Sequence, residues 1–387
     1  MKKSISIVIL TIGLILLGFI NSYAQQPNKL DEVKAFINNW KNLNSISYDA
    51  DLLDKAWFSE DTLLSKNHSE IIFDTTGIIV ANKDYNISEE FEGTLLYNGQ
   101  RKTFLFNNNT YDEYKNSSVN HGIFGNGGII DSIFYNLKNH PHKFQILPDT
   151  IINNVNCIYF KYIQRDEETE EGKMYDYFYF AFDKTTYEPK LYRSIRRGQL
   201  SVKDYSMGTA NLFNETRFKN VEKDKLIFDI KNFSPPSTAQ LAVYEKKELL
   251  GKGDENPKWK MQDLEGNHFN SEDFKGKNTL LFLTVIDCPA NQLSIKTINS
   301  MVDQFGEKIQ VIGIYDEKDE RLKKYVQSNP LKFPIIANGE DVKKQYHATG
   351  SPYYYLIDKD GKIFYSNSGY SDKLDGELIK NIEEMIK

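Results

Sequence analysis

Two cysteines, Cys157 and Cys288, are all that this 387-residue chain contains. They can form one bridge at most, which excludes a disulfide framework, and a zinc site built on paired cysteine spacings is excluded with it. Histidine is also sparse, with six residues at His68, His121, His140, His142, His268 and His347. Only His140 and His142, flanking Pro141, stand close enough in sequence to share a metal. No third ligand lies near them, so they read as a solvated loop, and neither a metal nor a cofactor is expected. Positive charge is in deficit, with a formal net charge of −6 and no basic patch interleaved with aromatics, so nucleic acid is not an expected partner. Beyond Ile20 no apolar run is long enough to cross a bilayer.

The first twenty-odd residues follow a different rule. Lys2 and Lys3 precede an apolar stretch from Ile5 to Ile20, followed by Asn21-Ser22-Tyr23-Ala24. A charged start, an apolar middle and a small-x-small end make residues 1–24 a signal peptide, with Gln25 as the mature start. The competing reading is an uncleaved anchor, but the stretch is short for a span and ends in a good cleavage site. No cysteine near that site is available for lipid attachment. The expectation is a soluble exported protein of the periplasm or cell envelope, without a membrane span after cleavage.

Aromatic residues are plentiful, with 24 Tyr and 24 Phe, which suits pleated, half-buried surfaces. Residues 31–42 form an amphipathic helix, with Val33, Phe36, Ile37 and Trp40 at helical spacing. The period then changes to two through "SISYDADL", "GIIVANKDY", "GTLLYNGQRKTFLF", "NCIYFKYIQ", "YDYFYFAF" and "KLYRSIR". Asn98-Gly99 marks a hairpin, 183–189 another turn, and a single helix near Ile129–Leu137 interrupts the series. Residues 25–235 are therefore expected to form a curved, aromatic-rich antiparallel β domain. Pro235-Pro236 ends it, and the polar segment 236–257 reads as a linker. From 258 to 387 strands alternate with helices and finish in a hairpin and a helix, which describes a small α/β domain with a mixed sheet. The whole chain is thus α+β.

One position in that last domain carries chemistry. "NTLLFLTVI" is a strand buried on both faces, and Cys288 follows it at the first turn of a helix. Unpaired N–H groups and the helix dipole favour a thiolate there, and Pro289 suits the first turn because its missing donor costs nothing. Gly350-Ser351-Pro352 comes later, before "YYYLIDKDGKI".

"FNSEDFKGKNTLLFLTVIDCP" followed by "GSPYYYLIDKDGKI" resembles the thioredoxin-like family of TlpA/ResA type, the exported thiol–disulfide oxidoreductases. The resemblance covers residues 255–387. It implies a thioredoxin-like fold for the last domain and a protein thiol or disulfide as partner. Cys288 matches the family's attacking cysteine and Pro352 its cis-proline, while the backbone of Ser351 would pair with a substrate strand. Pro289 would line the same approach. Three departures stand against this. Asn291 replaces the resolving cysteine, so a local two-electron cycle is lost. Asp287 replaces a tryptophan and opposes thiolate formation beside the sulfur. Ser294 replaces an acidic residue that could accept a proton. Asn291 can still donate a hydrogen bond toward a sulfur one helical turn away.

Other residues have plainer readings. Cys157 alternates with Ile158, Phe160 and Tyr162 in a strand, as a buried small hydrophobe does, although a bridge to Cys288 stays open if their Cα atoms approach within about 7 Å. Peroxiredoxin-like proteins place a threonine shortly before the reactive cysteine, but Thr284 lies one position too far back for a resemblance to that pattern and reads as a strand residue. The acidic run 166–171 is a solvated hairpin tip, and the Tyr/Phe ladder at 175–182 is core and sheet surface, with an apolar guest conceivable on a curved sheet. Two functions remain. One is monothiol exchange through Cys288 with an external resolving thiol. The other is a redox-inactive binding or scaffolding protein that uses the same fold and the β domain to hold a ligand or envelope partner.

Overall fold

The computed structural model describes residues 30–387 apart from 56–60, 89–91, 116–118, 120–121, 126–127, 203–204 and 244–246. The signal peptide expected over 1–24 lies outside the described residues. The chain divides into two compact units, the first of Met1–Asp54, Leu63–Arg197 and Phe213–Val243, the second of Lys55–Thr62, Gly198–Leu212 and Tyr244–Lys387.

A helix over 30–41 (α1) opens the first unit and buries Val33, Phe36, Ile37 and Trp40, the stripe that the 3.6-residue period puts on one face. Six strands follow: β1 (Ser45–Lys55), β2 (Thr62–Phe73), β3 (Ile79–Ser88), β4 (Glu92–Tyr97), β5 (Arg101–Phe106) and β6 (Thr110–Lys115). Helix α2 (Ile129–Asn139) interrupts them, as the sequence pattern requires. The series resumes with β7 (Phe144–Ile152), β8 (Val155–Thr169), β9 (Gly172–Asp183), β10 (Pro189–Val202) and β11 (Tyr205–Lys223), and ends with the two-residue β12 (Gln240–Leu241). Together they make a twelve-stranded sheet in the order β12-β6-β5-β4-β3-β2-β1-β11-β10-β9-β8-β7. The hairpins β2–β3, β4–β5, β8–β9 and β9–β10 are antiparallel, as is β1 with β11, while β12 joins β6 in parallel.

Period-two alternation decides which aromatics enter the core. Phe160 and Tyr162 on β8 meet Phe178, Phe180 and Phe182 on β9, and Phe36 of α1 stacks on Phe182 at 4.2 Å between ring centroids. The odd-numbered tyrosines take the other face, where Tyr175 and Tyr177 stack and the Lys161 ammonium lies 3.4 Å from the Tyr177 ring centroid. At the β4–β5 turn Gly99 has φ +85, a conformation open to glycine, and the Asn98 carboxamide oxygen accepts from the N–H groups of Gln100 and Arg101. Cys157 is fully buried in a small cluster with Ala181 and Leu191. The rings of His140 and His142 lie 5.9 Å apart, and among the described residues no three His, Cys, Asp or Glu side chains gather as for a metal ion.

The described parts of the segment 236–257, on either side of 244–246, make backbone hydrogen bonds. Its first half adds β12 to the large sheet, with Gln240 N–H donating to Asn109. Its second half is tied to the smaller unit, where Gly253 N–H donates to Ile363 O and Ile363 N–H to Asp254 O.

The second unit contains a short hairpin of β13 (Lys260–Gln262) and β14 (His268–Asn270), then β15 (Thr279–Thr284), α3 (Pro289–Phe305), β16 (Gln310–Tyr315) and α4 (Asp319–Ser328). It continues with β17 (Ile335–Ile336), α5 (Glu340–Gln345), β18 (Tyr353–Ile357), β19 (Ile363–Ser368) and α6 (Leu374–Met385). Its five-stranded sheet runs β17-β16-β15-β18-β19, with β15, β16 and β17 parallel and β18 antiparallel to both its neighbours. The mixed sheet expected here is therefore present. All six residues of β15 are buried. Leu280 and Phe282 face one core with α3, α4 and α6, while Leu281 and Leu283 face another with Trp259 and α5. A strand clothed on both sides reads as a continuous apolar run for that reason. Among the described residues no helix is long and apolar enough to cross a membrane.

Candidate functional site

The site forms where β15 stops. Its last residue, Thr284, is followed by a three-residue turn, and Cys288 is the N-cap of α3 in extended geometry, with Pro289 at the first helical position. No side chain caps this helix. The half-buried Cys288 thiol points to the Ser351 carbonyl, its Sγ 3.4 Å from the oxygen, and the Ser351–Pro352 peptide is cis. The Ser351 hydroxyl, 2.9 Å from Thr284 Oγ1, accepts from Val285 N–H at 3.1 Å. Pro352 is anchored in turn by Gly369, whose N–H donates to its carbonyl at 2.8 Å. Cys288, Pro289, Ser351 and Pro352, distant in sequence, are thus brought together, and Thr284 takes part by holding the serine.

Asn291 does not join them. Its side chain is fully buried; the amide Nδ2 is 3.4 Å from Tyr325 OH, and Oδ1 is buried without a hydrogen-bond partner. The expected donation toward the sulfur is corrected: position 291 lies on the face of α3 turned toward α4, so its amide goes to Tyr325. Ser294 is likewise turned inward and shares a hydrogen bond of 2.5 Å with Tyr354 OH. Burial pushes the Tyr325 and Tyr354 phenols up, which keeps both neutral.

Asp287 was expected to oppose a thiolate. The structure pairs it with Arg321 of α4, so its charge is answered. Arg321 also lies 4.0 Å from Glu317 and 3.9 Å from Asp61. Glu317, just after β16, is a functional candidate that the sequence reading missed. It is buried, and its Oε1 accepts from Ile286 N–H at 2.7 Å, two residues before the cysteine. Burial pushes this carboxyl up to about 6, against the pull of the Ile286 N–H and of Arg321. In sequence Asp316-Glu317-Lys318 is an ordinary charged loop. The available signal was its place at the carboxyl end of a parallel strand, where α/β sites collect. Gln292 was also missed; its side-chain amide donates to Ile286 O at 3.2 Å and to Tyr325 OH at 2.7 Å.

Both cysteines are free thiols. Burial pushes the Cys157 thiol up, and its Sγ rests 3.4 Å from Val155 O.

Known proteins similar to this chain match its C-terminal part. The AhpC/TSA family matches residues 252–366. The thiol-disulfide oxidoreductase ResA of Bacillus cereus is 31% identical over 153 residues, which cover 39% of this chain and 85% of that protein. The thioredoxin-like protein YneN of Bacillus subtilis is 22% identical over 126 residues, 31% of this chain and 74% of that one. Among solved structures, a putative thiol:disulfide interchange protein DsbE from Chlorobium tepidum aligns with 36% of this chain and 99% of its own, at 22% identity and a TM-score of 0.34. Through its C-terminal domain, the chain belongs to the ResA-type thiol–disulfide oxidoreductases of the AhpC/TSA redoxin group.

Proposed function

We propose that this is an exported monothiol member of the family, acting on protein disulfides in the cell envelope through Cys288. The observation that carries the reading is the sulfur at an uncapped helix N-terminus, 3.4 Å from the carbonyl of the residue before Pro352. The Cys288 thiolate attacks one sulfur of a partner disulfide. One S–S bond forms as the other breaks, and the departing thiolate takes a proton. An external thiol then attacks the partner sulfur of the mixed disulfide, joins the partner and returns Cys288. Ser351 and Pro352 flank the incoming strand, and Pro289 borders it. Export rests on the charged, apolar and small-residue pattern of residues 1–24.

The burial of Asn291 against Tyr325 favours a second reading, a binding module whose thiol is idle, because nothing at the resolving position can finish a local cycle. Incubation of the Cys157→Ser protein with a disulfide-bonded peptide separates the two. Monothiol exchange predicts a peptide adduct on Cys288 that free thiol releases and that Cys288→Ser abolishes. A folded protein that forms no adduct leaves the binding reading.

A further inference from the structure

We propose that Glu317 is a positioning residue for the Cys288 thiol, holding the turn that presents the sulfur through Ile286 on one side and through Arg321 and Asp287 on the other. The inference rests on Cys288 being the reacting group of the preceding section, and deepens it.

The geometry is a clamp built on three elements. Glu317 stands just after β16 and accepts the Ile286 N–H at 2.7 Å in a buried setting. Arg321, four residues on in α4, has its Nη1 4.0 Å from the same carboxylate oxygen and is paired with Asp287, the residue before the cysteine. Both residues preceding Cys288 are therefore tied to one carboxyl group, directly or through one guanidinium. A hydrogen bond to an ionised group is shorter and stronger than one to a neutral group, so the ionised carboxylate holds Ile286 harder than the acid does.

The surroundings make the clamp titratable. Among the described residues, the charged and titratable groups acting on Glu317 are Asp316 beside it, Tyr315 on β16, and Arg321 and Tyr325 on α4, with Asp287 and Asp61 on the far side of Arg321. The other carboxylate oxygen, Oε2, is buried without a hydrogen-bond partner, so the ion is incompletely satisfied. Burial accordingly pushes the carboxyl up to about 6. Above that pH the clamp is ionised and tight. Below it the Ile286 bond weakens and Arg321 turns wholly to its other partners.

The test is the rate of Cys288 alkylation by iodoacetamide from pH 4.5 to 9 in the full chain carrying Cys157→Ser, divided by the thiolate fraction read from absorbance. The clamp predicts a second inflection near pH 6, with at least about a threefold change in rate per thiolate, absent in Glu317→Gln. Gln keeps an oxygen for Ile286 but cannot titrate. In parallel, the Ile286 amide proton shift in the Glu317-containing protein should titrate with the same midpoint, a readout that needs no variant to fold. A Glu317→Gln profile superimposable on its parent, an Ile286 shift flat through pH 6, or a sulfur that never alkylates overturns the proposal. Loss of peptide exchange with the pH 6 inflection intact overturns the proposed function and leaves the clamp standing.

Discussion

Asp287 and Arg321 form an ion pair immediately before Cys288, with Asp287 on the turn after β15 and Arg321 on α4. Asp287 sets an anion beside the thiol, and the structure supplies its counter-charge from a neighbouring helix. The Arg321 side chain is 13% exposed against 40% for Asp287, so the pair straddles the surface, where screening reduces but does not erase it.

Removing Arg321 exposes the thiol to an unanswered carboxylate. Arg321→Gln should slow Cys288 alkylation at pH 7 by about threefold to tenfold, and the double variant Asp287→Asn, Arg321→Gln should recover most of the loss. Iodoacetamide kinetics on the three proteins measure it, and a double variant as slow as the single one refutes the electrostatic account.

Adding a second thiol at position 291 should create a local cycle. Residues 288 and 291 bracket the first turn of α3, whose i, i+3 spacing places Cα atoms within disulfide range. Asn291→Cys also deletes the buried Oδ1 that lacks a partner, which offsets the lost Tyr325 contact. The oxidised variant should weigh 2 Da less than the reduced one, and it should reduce a disulfide dye catalytically, whereas the parent should form only stoichiometric adducts.

Native alkylation should label Cys288 alone. Cys157 is fully buried and its thiol is pushed up by that burial, so it stays neutral and sealed until β8 opens. Mass spectrometry should find one label per folded chain and two after unfolding in urea. Cys157→Ser should cost about 1–2 kcal/mol, the desolvation of a hydroxyl placed in an apolar cluster.

The sign of the Glu317 shift sets a pH dependence of stability. Its folded value, about 6, is above the ordinary 4.5, so the native state binds the proton more tightly than the unfolded chain does. That contribution is complete below pH 4.5 and lost as pH rises through 6, a change of about 2 kcal/mol. Between pH 4.5 and 7 the parent should lose about that much relative to Glu317→Gln in urea unfolding, which reads the difference directly. A constant gap between the two proteins rejects the buried-carboxylate assignment.

Local patterns determined a good deal of this molecule. The stripe Val33, Phe36, Ile37 and Trp40 is a helix face because 3.6 residues per turn leaves no other arrangement for it. Alternation through β8 and β9 sorted Phe160, Phe178 and Phe180 inward, and the unbroken apolar run 279–284 became the buried central strand β15. Cys288 stood at a helix start for reasons of sequence alone. The surroundings of its sulfur had no such local cause. Ser351 reaches Thr284 across 67 positions, Arg321 reaches Asp287 across 34, and Glu317 reaches Ile286 across 31. Periodicity reports which face a residue takes within its own element, whereas charge and hydrogen-bond partners depend on which elements become neighbours. Asn291 shows the difference most plainly: its spacing from Cys288 suggested contact with sulfur, and the packing of α3 against α4 gave its amide to Tyr325 instead.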